Sequence, residues 1–184
     1  MPKVARQGRI VEMDPIQLSE PFKGAMNNPD VAKLLTTTDE NGIPHCVCKH
    51  SMLIVEDDGA YHGCIAYLEL IEMSQSYKNM IWTFNLNKTV AITTYNPVDL
   101  TSYQVKGVPY LYLMEGPLWQ QMLKNVWEVL PMAEPAGAWL IVPTEERDEN
   151  FSTRMKAEDE RFYPPHREWL QFRDASYARR YGTK

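Results

Sequence analysis

The sequence contains little of what marks secreted, membrane-spanning or nucleic-acid-binding proteins. Only three of its 184 residues are cysteine, and Cys46, Cys48 and Cys64 form no CxxC pair, so neither a disulfide framework nor a zinc site is indicated. No apolar run approaches the roughly 18 residues that span a bilayer, and the basic N-terminus leads into no apolar signal segment. A net charge of -5 argues against a polyphosphate partner but leaves room for a basic pocket that holds one phosphate. We therefore expect a cytoplasmic protein with reduced, buried thiols, no metal, no membrane span and no nucleic-acid partner.

Several common cofactor and hydrolase signatures are also missing. The chain has no GxGxxG after a strand, no GxxxxGK[ST], no HExxH and no GxSxG. With 44% hydrophobic and 23% charged residues, the composition is that of an ordinary globular protein, and a chain of this length can bury a substantial core. Any cofactor must therefore be held by a different kind of loop.

The order of β-branched runs and turn residues predicts a mainly β protein. Asp39-Glu40-Asn41-Gly42 and Asp57-Asp58-Gly59 are turn sequences suited to antiparallel hairpins. The expected strands cover residues 34–38, 43–55, 60–67, 88–95, 102–114 and 138–142. Helices are expected over 28–35, within 68–87, over 117–130 and over 166–181. About six closely spaced antiparallel strands favour a small barrel or sandwich over a doubly wound parallel sheet.

A polar segment at the start of the second expected helix contains candidate ligands for a phosphate group. Ser74, Ser76 and Lys78 supply two hydroxyls and an ammonium within five residues, and Gln75 adds an amide. A dianionic phosphate favours such donors near a helix N-terminus. The alternative is that a serine only caps the helix and that Lys78 is a solvated surface residue.

Five pieces of the sequence occur in a recognisable order. They are the strand and turn at 34–45, the hairpin turn at 57–59, and the segments 74–78, 89–92 and 103–107. Over residues 28–143 this order resembles the FMN-binding split-barrel family that includes pyridoxamine 5'-phosphate oxidase. The resemblance implies an antiparallel split barrel, bound FMN, and a homodimer with each flavin at the subunit interface. It also implies an oxidoreductase that acts on a small molecule.

The same resemblance divides the chain and assigns candidate cofactor-binding residues. Residues 1–27 are expected to form an N-terminal arm, and residues 144–184 an extension that packs on the barrel or on the dimer partner. Val47, Cys48 and Lys49 lie where family members line the flavin, and segment 74–78 lies at the flavin phosphate. Gln104 matches the family's glutamine beside the flavin, with an exposed strand glutamine as the alternative.

The sequence departs from the true pyridoxamine 5'-phosphate oxidases at two places. Val47 and Cys48 stand where those enzymes have an arginine, and segment 164–169 does not reproduce their C-terminal motif. Oxidation of pyridoxamine phosphate is therefore not expected, the substrate is unassigned, and no catalytic residue is identified. His45 and His50 are interpreted as structural or surface residues.

Other functions stay open at this point. The chain could be a non-catalytic flavin or haem protein that acts as a sensor, carrier or store, because no acid or base is evident near the motifs. It could also be an interaction module without a cofactor. A deazaflavin in place of FMN is a further alternative.

Overall fold

The protein is described by a computed structural model that covers residues 3–6, 9–12, 14–56, 59–86 and 88–161. Its contacts divide the chain into two units, Met1–Arg147 and Asp148–Lys184. No helix within the described ranges is long and apolar enough to cross a membrane.

The elements form a mainly β structure. In chain order they are β1 Lys3–Arg6, β2 Arg9–Glu12, α1 Glu20–Asn27, β3 Ala32–Thr38, β4 Pro44–Cys48, β5 Leu53–Ile54, β6 Ile65–Glu69, α2 Gln75–Asn85, β7 Val90–Tyr95, β8 Ser102–Leu113, α3 Pro117–Val129, β9 Gly137–Asp148 and α4 Phe151–Arg161. β1 and β2 pair with each other, and the other strands form one sheet in the order β4-β3-β7-β8-β9-β6-β5. This sheet curls into an antiparallel half-barrel. The predicted split barrel is confirmed, with seven strands in the sheet rather than about six.

The first hairpin forms where the turn sequence predicts it. The side chain of Asp39 accepts hydrogen bonds from two backbone N–H groups of the turn, at 2.9 and 2.8 Å. Gly42 adopts a φ of 81°, which costs glycine little. β3 and β4 then pair antiparallel with Thr36 opposite Cys46. This pairing leaves β4 at one edge of the sheet.

The single strand expected over 43–55 is wrong, because the chain leaves the sheet after Cys48 and joins it again at the opposite edge. β4 pairs with β3, whereas β5 pairs with β6. In the crossing segment, the backbone N–H of Lys49 donates to the carbonyl of Lys33 at 2.9 Å. The crossing also brings the Lys49 side chain to Glu69 at the end of β6. The run 43–55 favours a strand throughout, so the sequence gives no indication of where the chain moves from one edge of the sheet to the other.

The helix expected over 28–35 is also wrong, since β3 begins within that segment. The first helix is α1, where Ser19 is the N-cap and its hydroxyl accepts from the Phe22 N–H at 3.3 Å. Phe22 and Met26 are buried, so this part of the predicted N-terminal arm packs into the core. The expected helices within 68–87 and over 117–130 are confirmed as α2 and α3.

β6 and residues 137–143 of β9 are buried on both faces of the sheet. Ile65 and Tyr67 belong to the core cluster that includes residues of α1 and α2, whereas Ala66 and Leu68 belong to the cluster that includes residues of α3. Because side chains alternate along a strand, Glu69 shares the face of Tyr67. A glutamate is thus carried on an inward-facing position of a strand whose five residues are all buried.

The expectation of buried thiols holds for one cysteine of three. Cys64 is buried, and burial raises the pKa of its thiol to about 12. Cys46 and Cys48 are exposed and lie on the same face of β4, whereas Val47 on the opposite face is half-buried, and all three cysteines are free. The helix expected over 166–181 lies outside the described residues.

Candidate functional site

A cavity of about 730 Å³ lies where the end of β4, the start of α2 and the last turns of α3 come together. One end of it is polar and contains Lys49, Glu69, Ser74, Gln75 and Ser76. The rest is mainly apolar and is lined by Leu53, Leu68, Met122, Val126, Val129 and Leu130, among others. An apolar cavity with a few convergent polar groups, and of roughly 300–1,000 Å³, is the usual form of a small-molecule site.

A buried ion pair dominates the polar end. Lys49 Nζ lies 3.0 and 3.1 Å from the two carboxylate oxygens of Glu69, and the two side chains are only 12% and 3% exposed. Ser74 Oγ donates to the same carboxylate at 3.1 Å. Lys49 Nζ also lies 5.0 Å from the ring centroid of Tyr67, a cation–π distance. Both charges are therefore compensated by neighbours, as buried charges must be.

The N-terminus of α2 opens beside this pair. Ser74 caps the helix, and its hydroxyl accepts from the Tyr77 N–H at 3.0 Å. Gln75 and Ser76 are the first two residues of the helix. Their backbone N–H groups have no acceptor within the helix and are therefore available to a ligand. The Gln75 side-chain amide donates to Asn79 at 2.7 Å, and Asn79 in turn donates to Thr37 of β3 at 3.0 Å. These bonds connect the helix start to the sheet.

An aromatic cluster lies behind Glu69, on the same side of the sheet. The rings of Tyr112 and Trp139 are 4.8 Å apart, and Tyr67 is paired with Trp139 across β6 and β9. Burial, followed by the charge of Glu69, raises the pKa of Tyr67 well above its usual range. Burial also raises the pKa of Tyr112. Among the described residues, neither tyrosine hydroxyl has a hydrogen-bond partner.

The structure brings most of the predicted cofactor-binding residues to this cavity. Six of the eight line it: Val47, Cys48, Lys49, Ser74, Gln75 and Ser76. The other two, Lys78 and Gln104, do not line the cavity. Lys78 is exposed one turn along α2, and Gln104 is half-buried in β8 opposite Thr93. That any of these residues binds a cofactor stays a prediction.

Sequence reasoning missed Glu69 and the contribution of α3 to the cavity. Glu69 ends an otherwise apolar strand, and a charged residue in phase with inward-facing Ile65 and Tyr67 is a signal that could have identified it. His45 and His50, interpreted from the sequence as structural or surface residues, also line the cavity.

Comparison with known proteins identifies several similar structures. No protein-family model matches the chain, and no curated protein matches it. HupZ from Group A Streptococcus is 20% identical over 73% of this chain and 96% of its own, with a TM-score of 0.56. A candidate pyridoxamine 5'-phosphate oxidase from Lactobacillus delbrueckii is 18% identical over 73% of this chain and 99% of its own, with a TM-score of 0.54. An FMN-binding protein from Syntrophomonas wolfei is 12% identical over 70% of this chain and 84% of its own, also with a TM-score of 0.54.

The same architecture occurs in proteins with other cofactors in their names. They include an F420 reductase, with a TM-score of 0.51, and HutZ, the heme storage protein of Vibrio cholerae, with a TM-score of 0.50. At identities of 20% or less, these similarities establish the fold and leave the cofactor to be argued from the site. The chain therefore has the split-barrel fold of the pyridoxamine 5'-phosphate oxidase-like and FMN-binding proteins.

Proposed function

We propose that this chain binds FMN in the cavity between β4, α2 and α3, and that it acts as an oxidoreductase on a small molecule. The observation that carries the proposal is the meeting of Lys49 with Ser74, Gln75 and Ser76 at one polar end. The family resemblance of the sequence assigns these same residues to a flavin, although Lys49 is far from the others along the chain. The fold shared with an FMN-binding protein supports the proposal.

The residues at the polar end suit a phosphate monoester. The first turn of α2 offers the backbone N–H groups of Gln75 and Ser76 at the positive end of the helix dipole. The Ser76 hydroxyl is buried beside them, and Lys49 supplies a cation. The apolar lining suits the faces of a flavin ring system. One group opposes the phosphate, the carboxylate of Glu69.

The protein's part in the chemistry is binding, orientation and exclusion of water. FMN, once bound, supplies the hydride or electron transfer. Glu69 and the Tyr67 ring hold Lys49 beside the cavity, so its ammonium lies within reach of a bound phosphate. The last turns of α3 cover one side with Met122 and Val126, which excludes water there.

We further propose that a second copy of the chain covers the mouth of the cavity. Ile71, Val129 and Leu130 line the cavity yet are 64%, 78% and 50% exposed. Exposed apolar side chains grouped at one cavity favour an interaction surface there. Sedimentation analysis should find a dimer, and Ile71→Asp should shift it to the monomer. A monomeric wild-type protein that still binds FMN would refute the dimer without refuting the flavin site.

Titration of flavin fluorescence tests the binding proposal. Wild-type protein should bind FMN, and Ser76→Ala should weaken binding roughly tenfold, the value of about one charge-assisted hydrogen bond. Ser19→Ala is the matched control, because Ser19 caps a different helix and does not line the cavity. Equal affinities for both variants would remove Ser76 from the site. Unchanged affinity of Lys78→Ala would remove Lys78 from it.

Turnover separates an enzyme from a carrier. Sustained oxidation of reduced nicotinamide by the FMN-loaded protein, with oxygen or a dye as acceptor, supports the oxidoreductase. A protein that binds FMN and sustains no turnover would instead fit the non-catalytic alternative.

The second candidate function is haem binding, and the two cavity histidines favour it. His45 and His50 line the cavity, and imidazole is a common axial ligand of haem iron. Added haemin should then give a sharp Soret band that is lost in His45→Ala or His50→Ala. FMN binding without such a band would leave flavin as the ligand. F420 in place of FMN is tested in the same titration.

A further inference from the structure

A carboxylate lies among the donors that the FMN proposal assigns to the phosphate. Glu69 Oε1 accepts from Lys49 Nζ at 3.0 Å and from Ser74 Oγ at 3.1 Å, and its Oε2 accepts from Lys49 Nζ at 3.1 Å. The cation of the polar end and one of its two serine hydroxyls therefore already bond a negatively charged group. These contacts are the ones that a phosphate oxygen would make in the same place.

The backbone holds Glu69 in this position. Glu69 is paired with Gly137 in the register of β6 and β9, and its carbonyl accepts from the Ala136 N–H at 2.7 Å. The side chain of Tyr112 lies over Gly137, where an added Cβ would come within 2.3 Å of the ring. These contacts fix the backbone of Glu69, so its carboxylate stays at the polar end when Lys49 and Ser74 turn towards a ligand.

The charges at the polar end cancel. Lys49 contributes one positive charge and Glu69 one negative charge at 3.0 Å, so their sum is zero. An incoming dianionic phosphate must draw Lys49 and Ser74 away from Glu69, and it then meets a carboxylate that has lost its partners. A neutral ligand of the same shape has no such opposition.

From this geometry we infer that Glu69 is an internal competitor of the phosphate group and sets the specificity of the cavity. It lowers the affinity for a phosphorylated ligand relative to an unphosphorylated ligand with the same ring. The inference rests on the proposed flavin site and deepens it. It makes Glu69 the residue that determines how much a phosphate adds to binding.

The test compares FMN with riboflavin, which share a ring and differ in the phosphate. Affinities of the full-length wild-type protein, Glu69→Gln and Glu72→Gln are measured by calorimetry, with melting temperatures as a folding check. Glu69→Gln keeps the side-chain shape and one oxygen acceptor but removes the charge. Glu72→Gln removes the same charge from an exposed residue nearby that does not line the cavity.

Glu69→Gln should bind FMN about tenfold more tightly or better, since charge-assisted hydrogen bonds are released to the phosphate. The riboflavin affinity of Glu69→Gln should change by less than about twofold. In Glu72→Gln, the affinities for FMN and for riboflavin should both stay within about twofold of the wild-type values. An equal change for both flavins, or weaker binding of FMN to Glu69→Gln, would overturn the inference, because Glu69 would then contact the ring or build the site.

Two further measurements decide the remaining cases. If Glu69→Gln does not fold, the inference is tested by the ratio of the FMN affinity to the riboflavin affinity of the wild-type protein. A preference for FMN of less than about tenfold supports the inference, and a larger preference overturns it. If no protein binds either flavin, the flavin proposal fails, and inorganic phosphate alone tests Glu69. Greater thermal stabilisation of Glu69→Gln than of wild type by phosphate supports the inference, whereas equal stabilisation overturns it.

Discussion

The replacement Lys49→Met should destabilise the protein strongly, although Lys49 lines a cavity. Methionine keeps the unbranched stem of lysine, so the change mainly removes the charge. The Glu69 side chain is 3% exposed and would lose both bonds to Nζ, keeping only the Ser74 hydroxyl. Breaking a buried ion pair costs about 3–5 kcal/mol. Because the Ser74 hydroxyl still donates to the carboxylate, we expect about 3 kcal/mol of lost unfolding free energy, the lower end of that range.

Urea unfolding followed by circular dichroism measures this loss directly. In a protein of this size a loss of about 3 kcal/mol lowers the melting temperature by about 6–12 °C. The double variant Lys49→Met/Glu69→Leu should recover to within about 1.5 kcal/mol of wild type, since replacing both charges by apolar groups leaves no unpaired charge. Lys23→Met is the matched control: its partner Glu20 is 84% exposed, and its loss should stay below about 1 kcal/mol. The reasoning is refuted if Lys49→Met costs no more than Lys23→Met, or if the double variant loses more than the single one.

Two other predictions follow from close packing and from burial. Gly107→Ala should cost about 2 kcal/mol, because the new Cβ would lie 2.9 Å from the backbone carbonyl oxygen of Val142, which cannot move freely; an unchanged melting temperature would contradict this. At pH 8 a thiol reagent should modify two cysteines of the native protein, since Cys64 is buried and its pKa of about 12 keeps it protonated far above that pH. The third thiol should react only after unfolding in urea, and three fast equivalents in the native protein would show that Cys64 is accessible.

Local turn and capping signals account for what the sequence predicts correctly. The Asp39–Gly42 turn is stabilised by its own residues, so the β3–β4 hairpin lies where the sequence indicates. α2 begins at a serine cap and α3 at a proline, and both helices are found as expected. Such features depend on neighbours within a few residues, and a single sequence contains that information.

The errors arise where long-range pairing overrides local preference. The run 43–55 favours a strand throughout, yet its two halves pair at opposite edges of the sheet, a choice made by partners in β3 and β6. The segment after Asn28 has a helix signal that the pairing of β3 with β7 overrides. The Lys49–Glu69 pair joins residues 20 positions apart, and only the crossing of the chain between two edges brings them together.

A crystal structure of the protein with bound FMN tests the central claim most directly. We predict that the flavin lies in the cavity between β4, α2 and α3, with phosphate oxygens within about 3 Å of the Ser76 hydroxyl and of the first N–H groups of α2. Lys49 should turn from Glu69 towards the phosphate. Electron density for FMN elsewhere on the molecule, or in the cavity with its phosphate away from α2, would contradict the account.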